Sequence, residues 1–249
     1  MNIQPDAPMT LTVLGCQTPY PRPDEPCSGY LLRAEKSTIW IDAGSGTFAE
    51  LQLHVQLQDI NAIWISHLHP DHYSDLLSAW NAYANTPSLP QPLVFGPPGW
   101  RQRVEAMLGQ PGALDEVFTP LELHDRYLTR VGPVELRAYQ VEHSVPTFAL
   151  QAQHRDRLFA YSADSGPCPQ LVDLAQGANL LLIEAGASKS QPYHCTAEDV
   201  GDIATAAQVS GVMLTHLAPE LDREQASTRV QARFTGTVDV ARPGLTIQI

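Results

Sequence analysis

Basic residues are scarce in this chain: 15 Lys and Arg stand against 27 Asp and Glu over 249 residues, a formal net charge of -12. Affinity for nucleic acid comes chiefly from cations that neutralise phosphates, so scattered positive charge on an acidic chain argues against a grip on a polyanion. Cysteine is sparse too. Cys16, Cys27, Cys168 and Cys195 form no CxxC pair, which argues against a zinc ribbon or a disulfide scaffold, and they read as reduced thiols. No stretch is long and apolar enough to span a bilayer, and no basic start followed by an apolar run marks a secretory leader. A cytoplasmic location without a membrane partner is therefore expected. Low-complexity tracts, internal repeats and an interdomain linker are missing as well. With 43% hydrophobic and 17% charged residues, disorder has little support, and one domain over residues 1–249 is the simplest account.

What is present begins with short β-rich runs at residues 10–14, 30–34 and 38–42, separated by Pro- and Gly-rich connections, which predict a meander. The proline-dense loop 18–26 suits neither a helix nor an interior strand and is expected on the surface. Residues 62–66 (AIWIS) read as a buried strand, and 74–84 carries Leu76, Leu77, Trp80 and Tyr83 at helical spacing. After a Pro-rich connection near 86–92, residues 134–141, 148–153 and 158–161 form a second group of strands. The apolar runs 180–184 and 212–215 each follow a helical pattern, at 170–176 and 197–208. Strands in both halves with helices between them predict an α/β (α+β) fold. Its two sheets should pack face to face with helices outside, because each helix buries one apolar stripe.

The most informative stretch is His67-Leu68-His69-Pro70-Asp71-His72, four metal-binding groups within six positions directly after an apolar strand. In extended backbone His67 and His69 face the same side and can share an ion while Leu68 turns toward the core. Pro70 suits the first position of a helix, and a turn starting there swings Asp71 and His72 toward a second ion. An isolated loop histidine is ordinarily a surface residue, but this density is not ordinary. Mixed His and carboxylate donors suit zinc first, with manganese or iron as alternatives, whereas calcium and magnesium prefer all-oxygen sites. His143, Asp164 and His216 each follow a predicted strand and are candidates for completing the set. His54, His124 and His154 lack any partner pattern and read as surface residues.

The ordered set from His67 to His216 resembles the metallo-β-lactamase superfamily, whose fold is a four-layer αββα sandwich. LTVLGCQTPYP, SGYLL, WIDAGSG, SHLHPDHYSDL, VEHSVPTFAL, YSADSG, LLLIEA, YHCTAEDVGDIA and LTHLAP look closest to its ribonuclease Z-like phosphodiesterase branch. The resemblance implies that His67, His69 and His143 bind one metal, that Asp71, His72 and His216 bind the other, and that Asp164 bridges them. It implies that Asp42 steadies the metal-binding loop, a plain turn aspartate being the alternative. His194 resembles the branch's additional histidine, which contacts the scissile phosphate and protonates the leaving oxygen; a structural loop histidine is the rival. Glu184 resembles that histidine's acidic partner, with the alignment ambiguous by one position. Cys195 could be mistaken for a nucleophile, which a metal-held hydroxide makes unnecessary.

The departure from the branch lies between His143 and Asp164, where tRNA-processing members carry a long gripping arm and this chain has only the short hairpin FALQAQHRDRLFAY. The expectation is therefore a binuclear hydrolase acting on a small or cyclic phosphodiester, with His194 and Asp71 as catalytic residues and a small molecule, rather than tRNA, as its partner. Two zinc ions outweigh two aspartates and a hydroxide, leaving a locally positive centre for an anionic ester. Hydrolysis of a carboxyl ester, lactone or thioester is the alternative on the same fold, and a non-catalytic metal-binding protein is the rival of another class. A homodimer is compatible with the sequence.

Overall fold

The computed structural model describes residues 8–249. The reading of the chain's start as free of a leader falls in part on residues 1–7, outside the described residues. Strands β1 (Thr10–Gly15), β2 (Gly29–Ala34), β3 (Ser37–Ile41), β4 (Ala62–Trp64), β5 (Leu93–Gly96) and β6 (Thr119–Glu122) form the first sheet. The second holds β7 (Leu128–Val131), β8 (Val134–Val141), β9 (Thr147–His154), β10 (Arg157–Tyr161), β11 (Leu180–Ala185), β12 (Gly211–Leu217) and β13 (Thr237–Val240). The last strand, β14 (Thr246–Gln248), returns to the first sheet and pairs with β1.

Period-2 alternation explains how the layers stack. In β3, Ile39 and Ile41 enter the core between the sheets while Trp40 faces outward; in β11, Leu182 points inward while Leu181 and Ile183 point outward. Helices α1 (Thr47–His54), α2 (Pro70–Tyr73), α3 (Leu76–Ala84) and α4 (Trp100–Leu108) belong to the first half; α1, α3 and α4 bury Leu51, Leu76 and Val104 against that sheet's outer face. Helices α5 (Pro169–Ala175), α6 (Ala197–Ala206) and α7 (Arg223–Gln231) cover the second sheet with Leu171, Val200 and Val230. The result is the four-layer αββα sandwich expected from the resemblance.

Both sheets run through three antiparallel pairs and then three parallel ones, from β14 to β6 in one and from β7 to β13 in the other. This repeated topology has no counterpart in sequence repetition, because it needs only matching alternation and turns. The meander, the β9–β10 hairpin and the helical turn at Pro70 match expectation. The helix read over 74–84 begins at Leu76, since residues 70–73 form their own turn. His154, read as a surface residue, is buried with Nε2 3.3 Å from Glu35 Oε1, because it occupies the inward register at the end of β9. His124 is exposed and His54 half-buried beside Glu50.

Candidate metal centre

The site forms where strand ends of both sheets meet. Asp42 follows β3 and His67 follows β4, a parallel pair, so both emerge at the same edge. His143 follows β8, Asp164 follows β10, Glu184 lies in β11, and His216 lies in β12. Pro70 opens α2 at its first position with an extended residue before it, and this turn separates His69 from Asp71 and His72.

The structure brings all seven candidate ligands together in two groups. In one, His69 Nδ1 lies 3.0 Å from His67 Nε2 and 3.1 Å from His143 Nε2. In the other, Asp71 Oδ2 lies 3.4 Å from His216 Nε2 and 3.8 Å from His72 Nε2. Asp164 reaches both: its Oδ2 is 3.8 Å from His67 Nε2 and 3.3 Å from His216 Nε2, and its Oδ1 is 3.4 Å from His72 Nε2.

These donors fit divalent ions. Two ring nitrogens crowd to about hydrogen-bond distance of His69 Nδ1, yet a single Nδ1 cannot satisfy two partners, so convergent lone pairs are the simpler description. His72 Nε2 and Asp164 Oδ1 are buried without any hydrogen-bond partner, a state that proteins ordinarily avoid. Burial, the largest influence, holds His67, His69 and His143 below the ordinary imidazole value, which keeps them neutral. Burial acts the same way on His72 and His216, but the Asp164 charge leads the influences that outweigh it and raise both. For Asp164 itself, burial opposes ionisation, and the charges of His216 and His72 overcome it to hold the carboxyl well below its usual range.

Around the ligands a supporting shell fixes their directions. Asp42, fully buried, accepts from Ser66 N at 2.7 Å through Oδ1; its Oδ2 accepts from Ser66 Oγ at 2.8 Å, His72 Nδ1 at 2.7 Å and Tyr161 Oη at 2.7 Å. Its role is thus to aim His72 and clamp the His67 strand end, more than a turn aspartate does. Glu184 accepts from His194 Nδ1 at 2.9 Å, from Ser165 N at 2.8 Å and from Gly186 N at 2.6 Å, so it is the carboxylate that lies against His194. Asp42, Ala163 and His216 hold left-handed φ values of 54°, 53° and 47°, conformations that cost about 1–3 kcal/mol each in non-glycine residues and concentrate at functional sites. A side chain at Gly44 would meet the Asp71 carbonyl at 2.1 Å, so only glycine lets the two loops approach.

Cys195 is buried, and burial followed by the Glu184 charge pushes its thiol far above the ordinary value, so it is no nucleophile. Sequence reasoning missed Tyr161, Ser66 and Thr18, whose hydroxyl donates to Asp71 Oδ2 at 3.4 Å. Tyr161 had a signal, an inward register at the end of β10, but aromatic residues there are ordinarily core.

The family profile described as "Beta-lactamase superfamily domain" matches residues 37–217. An uncharacterised protein of Mycobacterium tuberculosis (strain ATCC 25618 / H37Rv) is 32% identical over 240 residues, covering 92% of this chain and 88% of its own. A protein named ribonuclease Z from Mycolicibacterium gilvum (strain PYR-GCK) is 28% identical over 252 residues, 86% of each chain. Among solved structures, the metallo-beta-lactamase fold protein YhfI of Bacillus subtilis superposes with a TM-score of 0.88 at 23% identity, over 98% of this chain and 100% of that one.

Proposed function

The chain belongs to the beta-lactamase superfamily, a family of metallo-hydrolases, and on that premise we propose that it is a binuclear metal-dependent phosphodiesterase for a small or cyclic phosphodiester. The observation that carries this reading is the His194–Glu184 pair. His194 is a quarter exposed and stacks 5.8 Å from His216, while its Nδ1 is held 2.9 Å from a carboxylate buried beneath it. A proton donor fixed beside the ligand cluster suits departure of an alkoxide from phosphorus, which needs a proton.

His67, His69 and His143 would hold one ion and Asp71, His72 and His216 the other, with Asp164 between them; zinc is the first choice, manganese or iron the alternatives. When bound, such ions supply Lewis-acid chemistry, neutralising phosphoryl charge and acidifying a water. The chain's own residues do the rest. Glu184 accepts the His194 Nδ1 proton and so leaves Nε2 to carry the transferable one. Burial, the largest influence, disfavours the imidazolium, but the hydrogen bond and charge of Glu184 outweigh it and raise His194 above the ordinary value, which favours the proton-bearing form a donor needs. Asp71 accepts from the Thr18 hydroxyl at 3.4 Å through the same Oδ2 that faces His216, and would hold the second ion there.

One observation supports a small substrate. Between His143 and Asp164 the chain forms only the β9–β10 hairpin, with no arm for tRNA. Because β14 closes the first sheet after β13 has closed the second, we read residues 1–249 as one domain. Four unpaired, buried cysteines fit a reducing, cytoplasmic setting, and no helix among the described residues is long and apolar enough to cross a membrane. The test is metal analysis of the purified protein with rates on bis(p-nitrophenyl) phosphate, an alkyl phosphodiester, a lactone and a thioester. Phosphodiester turnover that chelation abolishes is expected; preference for the lactone or thioester overturns the proposal.

A further inference from the structure

Two tyrosines meet in the core between the sheets: Tyr30 of β2 and Tyr161 of β10, both buried, with ring centroids 5.2 Å apart and planes tilted by 57°. Each hydroxyl crosses to the opposite sheet. Tyr161, from the second sheet, donates at 2.7 Å to Asp42 Oδ2, the same oxygen that takes the His72 Nδ1 proton at 2.7 Å. Tyr30, from the first sheet, places its hydroxyl 2.6 Å from Thr215 Oγ1, one residue before His216. His72, on α2 after the first sheet's β4, and His216, in β12 of the second sheet, are the two histidines of the same ligand group, their ring centroids 5.3 Å apart.

An ion held across two sheets needs their separation fixed within a few tenths of an ångström, and apolar packing alone is non-directional. Phenylalanine would fill the same volume at either position. A buried hydroxyl costs desolvation unless it is hydrogen-bonded, and here both hydrogen bonds cross the gap that the ion would span. We propose that Tyr30 and Tyr161 are positioning residues that set the distance between His72 and His216, and thereby the affinity for a divalent ion at the Asp71–His72–His216 group. This rests on the metal reading of the site.

The test measures ion affinity by chelator competition with zinc in two backgrounds that each leave one group whole. His69→Ala keeps Asp71, His72 and His216; His72→Ala keeps His67, His69 and His143. Adding Tyr161→Phe to the first background is expected to weaken ion binding by about 10- to 100-fold. Adding it to the second, where the path through His72 is cut and only the route through Asp42 and Ser66 to His67 remains, is expected to cost several-fold less than in the first. Tyr30→Phe should act selectively in the same way through His216, and cobalt(II) absorption bands should shift more in the His69→Ala series. Circular-dichroism melting checks that each variant is folded. Unchanged affinity in the first background overturns the proposal, as does equal loss in both, which a purely structural role would give. Wild-type protein that binds no ion defeats the metal reading itself, a separate and distinguishable result.

Discussion

Asp42→Asn changes one oxygen to an NH₂ group at the point where four donors converge, and its effect follows from their positions. Asp42 Oδ1 receives Ser66 N, while Oδ2 receives His72 Nδ1, Ser66 Oγ and Tyr161 Oη, all within 2.8 Å. A carboxylate only accepts, so Nδ1 of His72 carries a proton, and Nε2, which faces Asp71 and Asp164, is the nitrogen that would meet an ion. With the new amide oxygen on Ser66 N, its NH₂ faces His72, and the imidazole must move its proton to Nε2, where it blocks an ion. Flipped, the NH₂ meets the Ser66 N–H instead. Either way a buried donor loses its acceptor, at about 1–3 kcal/mol, which corresponds to roughly 5- to 150-fold weaker ion binding. Chelator competition at neutral pH reads this directly, with melting curves to show that the variant is folded. A folded variant that holds both ions with wild-type affinity would refute the assignment of Asp42 as the residue that sets the His72 tautomer.

His194→Ala should leave metal content unchanged and lower turnover of an alkyl phosphodiester by about 10²–10⁴-fold, with a much smaller loss on bis(p-nitrophenyl) phosphate, whose phenolate leaves unaided; equal losses on both would point to substrate positioning. Since Glu184 holds His194 above the ordinary imidazole value and the acid must be protonated, the wild-type rate on the alkyl diester should fall as pH rises through that raised value, whereas in His194→Ala this alkaline limb should vanish. Filter binding should detect no salt-sensitive association with tRNA, given a net charge of -12 and the short β9–β10 hairpin; micromolar binding with a steep salt slope would contradict the small-substrate reading. Cys195→Ala should keep near-wild-type turnover, because the thiol is buried and un-ionised, and loss of activity in a folded variant would reopen the nucleophile question.

How legible the site was depended on sequence distance. His67 to His72 stood out because one strand end and one proline-started turn carry them all, whereas His143, Asp164 and His216 could be picked only as polar residues after apolar runs. The resemblance supplied their pairing. Glu184 was uncertain by one position, although alternation in β11 already turns Ile183 outward and the next residue inward. Tyr30 and Tyr161 escaped notice because their inward faces look like any core aromatic, and only three-dimensional packing reveals what their hydroxyls reach. In the fold, β5, β6, β7, β13, β14, α1, α4 and α7 had no sequence-level prediction. Strands β6, β13 and β14 are short and largely exposed or half-buried, so they present no apolar run, and their pairing is fixed by neighbours far along the chain.

If this chain holds two ions flanking Asp164, a crystal of metal-loaded protein measured at the zinc absorption edge locates them. Two anomalous peaks are expected, one among His67, His69 and His143 and one among Asp71, His72 and His216, with Asp164 touching both. A single peak, or peaks on unrelated surface residues with these seven side chains unoccupied, would contradict the two-ion reading.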